Sequence, residues 1–284
     1  MVAGFTCLTA LGLVGAVGGA GATANPTLAS CTHTIVSQEF AKGKLTVATD
    51  SLVSTPWFVN NRPSNAKGYE SALVYALAKV LGVKRSNVTW VSEPFDASYT
   101  PGHKAFDFDI DEVSSTPERA RAVTFSSSYF NVQQSIVALK TNPIVTKHSA
   151  AQLKTYQYGD ESGTTGLTYI NNVLKPTKPV RVYATLDRAI AALQSRQIDA
   201  LVIDTPTGQY MASAQIVNQS SKPVATVVGQ FPSVGEHYGL LFQKGNPLVR
   251  CVNVALSALK TNGTIAALVK KWLGLYTNVP ALTP

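Results

Sequence analysis

The segment Phe108–Ala120, FDIDEVSSTPERA, runs from an apolar stretch that carries acids into a hydroxyl cluster and a helix start. Thr116 before Pro117 predicts an N-cap followed by the first helical residue. Arg119 then falls in the first turn, at the positive end of the helix dipole. A cation there is destabilised by a few tenths of a kcal/mol up to about 1 kcal/mol. The position indicates that Arg119 meets a negative group.

Predicted strands and helices alternate on both sides of this segment. The strand patterns are KLTVATD (44–50), VTWVS (88–92), FDFDIDEVS (106–114), SIVALK (135–140) and IDALVID (198–204). Helical periodicity marks 68–82, 185–197 and the two segments that begin near 246 and 264. Strands alternating with helices predict an α/β fold with a mostly parallel sheet.

A second Thr-Pro pair, Thr205-Pro206, follows Asp204 at the end of IDALVID. The order strand, acid, hydroxyl, proline therefore occurs twice, here and in FDFDIDEVSSTP. Two similar α/β units each offer strand ends and a helix N terminus, which is where open α/β sheets bind ligands. We expect the two edges to face each other across a cleft.

Composition excludes several classes of protein. The 284 residues are 45% hydrophobic and 14% charged, which is enough apolar material for a core of one or two domains. The net charge is +8, but no basic run is interleaved with aromatics, so nucleic-acid binding is not expected. The sequence has no Gly-x-Ser-x-Gly elbow, no Ser-His-Asp order and no metal-ligand spacing. No metal site and no cofactor are predicted.

Residues 1–30 are apolar and small and contain no lysine or arginine. They predict a secretion signal without the usual basic start, with residues 22–24, Ala-Thr-Ala, as a signal-peptidase site. Residues 28–31, Leu-Ala-Ser-Cys, also fit a lipoprotein box in which Cys31 is lipidated. A transmembrane helix is the alternative, but the glycines and the length disfavour it.

Cleavage would leave two cysteines, Cys31 and Cys251. An even number in an exported chain suggests a Cys31–Cys251 disulfide. Lipidation of Cys31 would exclude that bond, so both alternatives stay open.

Three loops carry residues suited to binding charge. Ser114-Ser115-Thr116 with Arg119 and Gly163-Thr164-Thr165 offer hydroxyls and free N–H groups at helix starts, which suit an anion. The Arg119 fork fits a carboxylate. Asp50 and Asp204, both at strand ends, suit a cation. A site with both properties is an amino-acid site, although Arg119 paired with a surface acid and ordinary caps at the other two loops would give the same pattern.

The chain resembles the family 3 extracellular solute-binding proteins of amino-acid ABC transporters over about residues 43–275. The resemblance is carried by KLTVATD, GYESALVYALAKVLG, SSTPERA, GTTG, IDALVIDTP and ALKTNGTIAALVKKWLG. It implies a two-lobed periplasmic-binding-protein-like fold of type II, with two crossover strands and a ligand cleft between the lobes. We expect residues 31–136 and 237–284 in lobe 1 and residues 137–236 in lobe 2.

The resemblance also implies roles for individual residues. The carboxylate-binding arginine corresponds to Arg119, and its hydroxyl and amide partners correspond to Ser114 and Thr165. The ammonium-binding acid corresponds to Asp204, and the acid that contacts the ligand side chain corresponds to Asp50. The aromatic residue that the family has shortly after Thr-Asp is missing, since residues 52–54 are Leu-Val-Ser. We expect Trp57 to stack on the ligand instead.

Two further acids depart from the pattern of the family. Glu112 stands where the family often has Gln or Ser, and Glu161 precedes the Gly-Thr-Thr turn. Strand alternation places Asp109 with Asp111 on one face and Glu112 with Ser114 on the cleft face. Unpaired carboxylates in a closed site are costly, so they predict a basic amino acid as ligand. The alternatives are that they hydrogen-bond a neutral ligand such as glutamine or pair with a lysine.

The resemblance implies a monomeric, non-enzymatic binding protein that is secreted or held at the cell surface and delivers an amino acid to an ABC permease. A cyclohexadienyl-type dehydratase on the same fold is the alternative. In that case Glu112 or Glu161 would act as general acid. A sensor domain ranks lower, because no kinase segment follows in the sequence.

Overall fold

The computed structural model describes residues 1–2, 26–32, 39–276 and 279–283. The predicted signal-peptidase site at residues 22–24 lies outside the described residues, as does most of the predicted signal segment 1–30.

The strands of the described ranges are short. They are β1 (Leu45–Thr49), β2 (Val88–Ser92), β3 (Phe108–Asp109), β4 (Val123–Phe125), β5 (Phe130–Asn131), β6 (Gln134–Leu139), β7 (Gly159–Glu161), β8 (Arg181–Tyr183), β9 (Ala200–Asp204), β10 (Ala225–Gln230), β11 (His237–Tyr238) and β12 (Leu241–Gln243).

The four longest α-helices lie where helical periodicity was predicted. The α-helices of the described ranges are α1 (Tyr69–Val80), α2 (Phe95–Ser98), α3 (Arg119–Ala122), α4 (Ala150–Leu153), α5 (Thr165–Tyr169), α6 (Leu186–Gln194), α7 (Thr205–Tyr210), α8 (Leu248–Thr261) and α9 (Thr264–Trp272). Single turns of 3₁₀-helix occur at Val59–Asn61, Pro63–Asn65, Arg85–Asn87 and Pro143–Thr146, and π-helical turns extend α5 and α7 at Ile170–Leu174 and Met211–Gln215.

The strands form two main sheets. The first has the order β2–β1–β3–β12–β4, in which β1 pairs in parallel with β2 and β3 while β12 is antiparallel to β3 and β4. The second has the order β10–β6–β9, and both of its pairings are antiparallel. The strands β7 and β8 pair in parallel and adjoin β9 through the bridge between Tyr158 and Ala200.

The prediction of mostly parallel sheet is therefore wrong for the second sheet. Strand β6 leads away from the first sheet and β10 leads back towards it, so these two neighbours must run in opposite directions. Alternation of strands and helices along the sequence does not contain this information, because it depends on where the chain passes between sheets.

Between β1 and α9 the chain passes between the two sheets twice. The first passage contains β5 and the second contains β11, and these two strands pair antiparallel with each other. The predicted α/β fold with two lobes and two crossover strands is confirmed. Each sheet has its own apolar core: Phe108, Leu73 and Leu256 belong to the first, and Ile136 and Val202 belong to the second.

The last described segment, 279–283, returns to the second sheet. Ala281 bridges Gln230 of β10, and Leu282 is buried in the core of that sheet. The backbone N–H of Leu282 donates to Gln230 O at 2.7 Å. The expectation that residues 237–284 all belong with lobe 1 is wrong for this segment, because the chain after α9 adds to the edge of β10.

Cys31 and Cys251 form a disulfide, with their Cα atoms 5.4 Å apart. It joins the helical turn at residues 28–32 to α8, and both cysteines are buried. One sulfur cannot carry a lipid and a disulfide together. Of the two alternatives, the structure contains the disulfide.

Across the described ranges, no single helix has the length and apolar character to cross a membrane. The helices α8 and α9 reach the required length only as a pair bent by 75°.

Candidate ligand-binding site

A cavity of about 370 Å³ lies between the two sheets. The first sheet contributes the loop after β1 and the segment between β3 and α3. The second contributes the β7–α5 turn, the start of α6 and the junction of β9 with α7. The volume of the cavity is within the range of pockets that enclose small molecules, roughly 300–1,000 Å³. The loops at strand ends meet there, as expected for α/β sheets.

Arg119 lines the cavity from the start of α3 and is only 7% exposed. Thr116 Oγ1 accepts a hydrogen bond from Arg119 N at 3.1 Å, as expected of a capping hydroxyl, but α3 begins at Arg119 and not at Pro117 as predicted. The guanidinium donates from Nη1 to Ser114 O and from Nη2 to Gly163 O, both at 2.9 Å. Its Cζ lies 4.4 Å from the centre of the Tyr99 ring. These contacts fix the orientation of the guanidinium. A guanidinium has five N–H donors, so donors are left for a carboxylate.

Hydroxyl groups flank this guanidinium. Ser114 lines the cavity, and its Oγ donates to Glu236 Oε1 at 2.6 Å. Thr164 Oγ1 accepts from the backbone N–H three residues along, at 3.1 Å, so the Gly-Thr-Thr turn begins α5 as predicted. Thr165 Oγ1 accepts from Gln134 Nε2 at 3.1 Å. The N terminus of α5 and two hydroxyls thus face the same space as Arg119.

Asp204 lies where β9 ends and α7 begins, and its side chain does not cap that helix. The pairing of β6 with β9 places Gln134 opposite Asp204, and Gln134 Nε2 donates to Asp204 Oδ1 at 2.6 Å. Burial raises the pKa of Asp204 to about 7, and the charge of Glu236 acts in the same direction. A cation at this position would lower the pKa again.

Carboxylates outnumber cations in the wall of the cavity. The seven acids that line it are Asp50, Asp111, Glu112, Asp160, Glu161, Asp187 and Asp204. Within the part of the chain that the structure describes, Arg119 is the only basic side chain of the lining. Like charges in a shared site raise one another's pKa values, and a bound cation relieves this effect.

Three of these acids lie near one another. Glu161 ends β7, and burial raises its pKa to about 7, with further contributions from the charges of Asp50, Asp96 and Asp187. Asp187 lies in the first turn of α6, and Asp50 follows β1. The two sheets therefore both supply a carboxylate to this group, which we call the rim acids (Asp50, Glu161 and Asp187).

Asp111 and Glu112 both line the cavity. The expected alternation ends early, because β3 stops at Asp109 and Glu112 has a left-handed backbone with φ of 55°. The prediction that Asp111 and Glu112 lie on opposite faces is wrong, since both line the cavity, whereas Asp109 is buried and does not line it. Glu112 N donates to Glu70 Oε1 at 2.9 Å, and burial, followed by the charge of Glu70, raises the pKa of Glu112.

Trp57 lies in the core and not in the cavity wall, with 0% of its surface exposed. Its ring contacts the rings of Tyr69, Phe130 and Tyr238 at centroid distances of 5.9, 5.6 and 5.5 Å. The prediction that Trp57 stacks on the ligand is wrong, because the loop after β1 turns residues 51–54 towards the cavity and the indole inwards.

Sequence reasoning missed Asp160, Asp187, Gln134 and Glu236. Asp160 lines the cavity beside Glu161 and is 2% exposed, and its Oδ2 has no hydrogen-bond partner among the described residues. The order Thr-Leu-Asp at a helix start could have marked Asp187 as a carboxylate at a helix N terminus that faces the cavity. Nothing local marks Gln134 or Glu236, because strand pairing and the crossovers bring them to the site.

The arrangement suits a zwitterion with a further positive charge. A guanidinium and a helix N terminus can hold a carboxylate, and Asp204 with the rim acids can hold two cationic groups. Among the described residues, no group of three or more His, Cys, Asp or Glu is placed to hold a metal ion.

Two sheets joined by two crossover strands, with the cavity between them, define the periplasmic-binding-protein-like class of fold. A family model described as bacterial extracellular solute-binding proteins, family 3, matches residues 45–275. The chain belongs to this family.

Named relatives are similar over most of their length. An arginine-binding periplasmic protein of Mannheimia haemolytica is 27% identical over 77% of this chain and 87% of that protein. A probable histidine-binding protein of Campylobacter jejuni is 25% identical over 86% of this chain and 93% of that protein. An ancestral arginine-binding protein bound to glutamine has a TM-score of 0.68 and 28% identity, covering 82% and 99% of the two chains. An ancestral amino acid-binding protein, a precursor of cyclohexadienyl dehydratase, has a TM-score of 0.67 and 27% identity, covering 86% and 99%.

Proposed function

We propose that this chain is the extracytoplasmic binding protein of an ABC importer and that its ligand is a basic amino acid. The observation that carries the proposal is the cavity lining of seven carboxylates and one arginine. A ligand with one negative and two positive groups complements that lining better than a neutral amino acid does.

In the proposed complex the α-carboxylate of the ligand binds Arg119, with Ser114 and Thr165 as hydroxyl partners. The α-ammonium binds Asp204. The cationic end of the side chain lies among the rim acids, where Asp50 comes from one lobe and Glu161 from the other. The pose is supported by the fixed fork of Arg119 and by the raised pKa values of Asp204 and Glu161, which a cation would lower.

The arginine-binding periplasmic protein of Mannheimia haemolytica supports the same class of ligand. The ancestral arginine-binding protein is bound to glutamine in its structure, which makes glutamine the neutral ligand to test. The same similarity supports an ABC permease as the partner and a site of action outside the cytoplasm. We further propose that the working form is a monomer without enzymatic activity. Lobe 1 is residues 31–32, 39–131 and 237–276, and lobe 2 is residues 134–236 with 279–283, because β6 begins at Gln134 and Ile136 is buried in the core of the second sheet. The lobes close around the ligand by a hinge in the two crossover strands.

Calorimetry with two isosteric ligands tests the charge argument. L-arginine should bind more tightly than L-citrulline, which has nearly the same shape without the positive charge. The variant Asp187→Asn should weaken L-arginine more than L-citrulline, while Glu118→Gln, an exposed acid outside the cavity lining, should change neither. Tighter binding of L-citrulline, or of L-glutamine, than of L-arginine would show that the excess acids do not select a cation.

A dehydratase remains the second candidate, favoured by the structural similarity to a precursor of cyclohexadienyl dehydratase. The raised pKa of Glu161 would let it hold a proton near pH 7 as a general acid. Incubation with prephenate followed by detection of phenylpyruvate decides between the two. Turnover that Glu161→Gln abolishes would establish the enzyme, whereas no product together with L-arginine binding supports the transport protein.

A further inference from the structure

Trp57 connects three parts of the molecule, although it does not line the cavity. Its indole Nε1 donates to Thr207 Oγ1 at 2.8 Å, and both side chains are buried. Its ring packs edge-on against Phe130 of β5 and Tyr238 of β11, the two crossover strands. Trp57 thus touches the hinge and reaches across to α7.

The hydroxyl of Thr207 makes a second contact, to Glu112 Oε2 at 2.6 Å. An indole N–H can only donate, and a hydroxyl has a single hydrogen, so the order of donation is fixed when Glu112 is ionised. Trp57 donates to Thr207, and Thr207 donates to Glu112. The carboxylate of Glu112 lines the cavity. The two hydrogen bonds in series determine which oxygen of this carboxylate faces the hydroxyl of Thr207.

Both partners of Thr207 are held by α1. Gly68 has φ of 98°, and a Cβ there would lie 2.2 Å from Trp57 O, so the loop can approach α1 closely only with glycine at this position. Glu70 N donates to Trp57 O at 3.1 Å, and Glu112 N donates to Glu70 Oε1 at 2.9 Å. Trp57 and Glu112 therefore belong to one rigid unit with the first sheet.

Thr207 belongs to the other unit. It lies in α7, which follows β9 directly and packs on the second sheet, and it is 5% exposed. Its hydroxyl is therefore a side-chain link between the rigid unit of α1 and the second sheet, placed beside the crossover strands.

We propose that Thr207 is a positioning residue that latches the two lobes in the closed arrangement and orients Glu112 in the cavity. The hydrogen-bond chain Trp57–Thr207–Glu112 forms when the lobes close and breaks when they open. The inference rests on the proposed closure of the lobes around a ligand, but not on the identity of that ligand.

The pair Thr207→Val and Thr207→Ser separates the hydroxyl from the packing. Valine has nearly the shape of threonine without the hydroxyl, whereas serine keeps it. With L-arginine as the probe, Thr207→Val should weaken binding about tenfold, which corresponds to about 1.4 kcal/mol, mainly through faster dissociation. Thr207→Ser should recover most of the loss.

The variant Trp57→Phe keeps an aromatic ring and removes the donor. Trp57→Phe combined with Thr207→Val should weaken L-arginine binding no more than Thr207→Val alone, because both remove the same hydrogen bond. Additive losses would show that the two residues act separately and would overturn the latch.

Two ligand-free measurements test the latch even if L-arginine does not bind. We infer that the latch holds part of the ligand-free population closed. Thr207→Val should therefore give a larger radius of gyration by small-angle scattering than the wild type, and its tryptophan emission should move to longer wavelength as the indole of Trp57 meets water. When Thr207→Val is made in the Trp57→Phe background, it should no longer shift the emission, since the remaining tryptophans, Trp90 and Trp272, lie elsewhere.

The outcomes separate this inference from the proposed function. Failure of L-arginine to bind the wild type, with the ligand-free changes as expected, removes the proposed ligand and leaves the latch. A lower melting temperature for Thr207→Val, with unchanged affinity, scattering and emission, shows a bond present in open and closed states alike and overturns the latch.

Discussion

Binding of L-arginine should release protons near neutral pH, because the empty site holds them on carboxyls that the ligand must ionise. Asp204 and Glu161 both have a pKa of about 7 in this structure. At pH 6.5 a group with that pKa is about three-quarters protonated by the ordinary titration relation. Both carboxyls therefore hold most of a proton before the ligand arrives.

The size of the release follows from the ion pairs. An opposite charge within about 4–6 Å lowers the pKa of a carboxyl by roughly 1–3 units. A fall of about two units leaves only a few hundredths of a proton at pH 6.5, so each group loses about 0.7 proton. L-arginine, which pairs with both, should release about 1.5 protons, and L-citrulline, which reaches Asp204 alone, about half as many.

The sign of the pH dependence is fixed by the same linkage. The bound state holds fewer protons than the empty state between about pH 5 and 7, so the affinity for L-arginine should rise with pH through that window and level off above it. Calorimetry in two buffers of different ionisation enthalpy measures the proton count directly. Asp204→Asn should lower the count by about 0.7. Proton uptake, or no release, on binding L-arginine at pH 6.5 would refute the reasoning.

Further predictions concern the fork, the acids and the disulfide. Arg119→Ala should weaken L-arginine binding at least about 30-fold, since removing one side of a buried charge pair costs roughly 2–5 kcal/mol. Arg119→Lys should recover part of the lost affinity. Equal affinities of Arg119→Ala and the wild type by calorimetry would contradict the assignment. The ligand-free protein should melt at a higher temperature at pH 5.5 than at pH 7.5. Folding raises the pKa values of Asp204 and Glu161, so the folded state holds more protons than the unfolded chain between about pH 4 and 7, and stability falls as pH rises; the opposite order by scanning fluorimetry would contradict this. Replacing Cys31 and Cys251 by serine should lower the free energy of unfolding by about 2–5 kcal/mol in calorimetry without changing ligand affinity. A diacylglyceryl mass on Cys31 in the exported protein would show that the bond does not form there.

The features that were predictable from the sequence depend on residues close together in the chain. Thr116 and Thr164 each make a capping hydrogen bond because a hydroxyl reaches a backbone N–H three residues on, whatever the rest of the fold does. The strand ends at Asp50 and Asp204 follow from apolar runs that stop at an acid. The count of cysteines left after the predicted cleavage made the disulfide one of two alternatives, beside lipidation of Cys31.

The features that were not predictable depend on pairing over long distances or on a local break in the backbone. Alternation along the strand failed at Glu112, where a left-handed backbone is stabilised by Glu70, a residue 42 positions earlier. Trp57 was expected in the ligand site because of its type and position in the loop. Its orientation is set by Thr207, 150 positions later, and by the aromatic rings of the crossover strands.

The acids of the cavity explain how such a site would discriminate between ligands of similar shape. A neutral amino acid can make the same contacts with Arg119 and Asp204 as a basic one. Closure around it, however, lowers the dielectric around the rim acids while leaving them unpaired, and an unpaired buried carboxylate either costs free energy or takes up a proton. Closure around a basic amino acid pairs them instead. Selectivity on this reasoning comes as much from the penalty against the wrong ligand as from attraction to the right one. The selectivity should therefore be largest above pH 7, where Glu161, with its pKa raised to about 7, cannot escape the penalty by staying protonated.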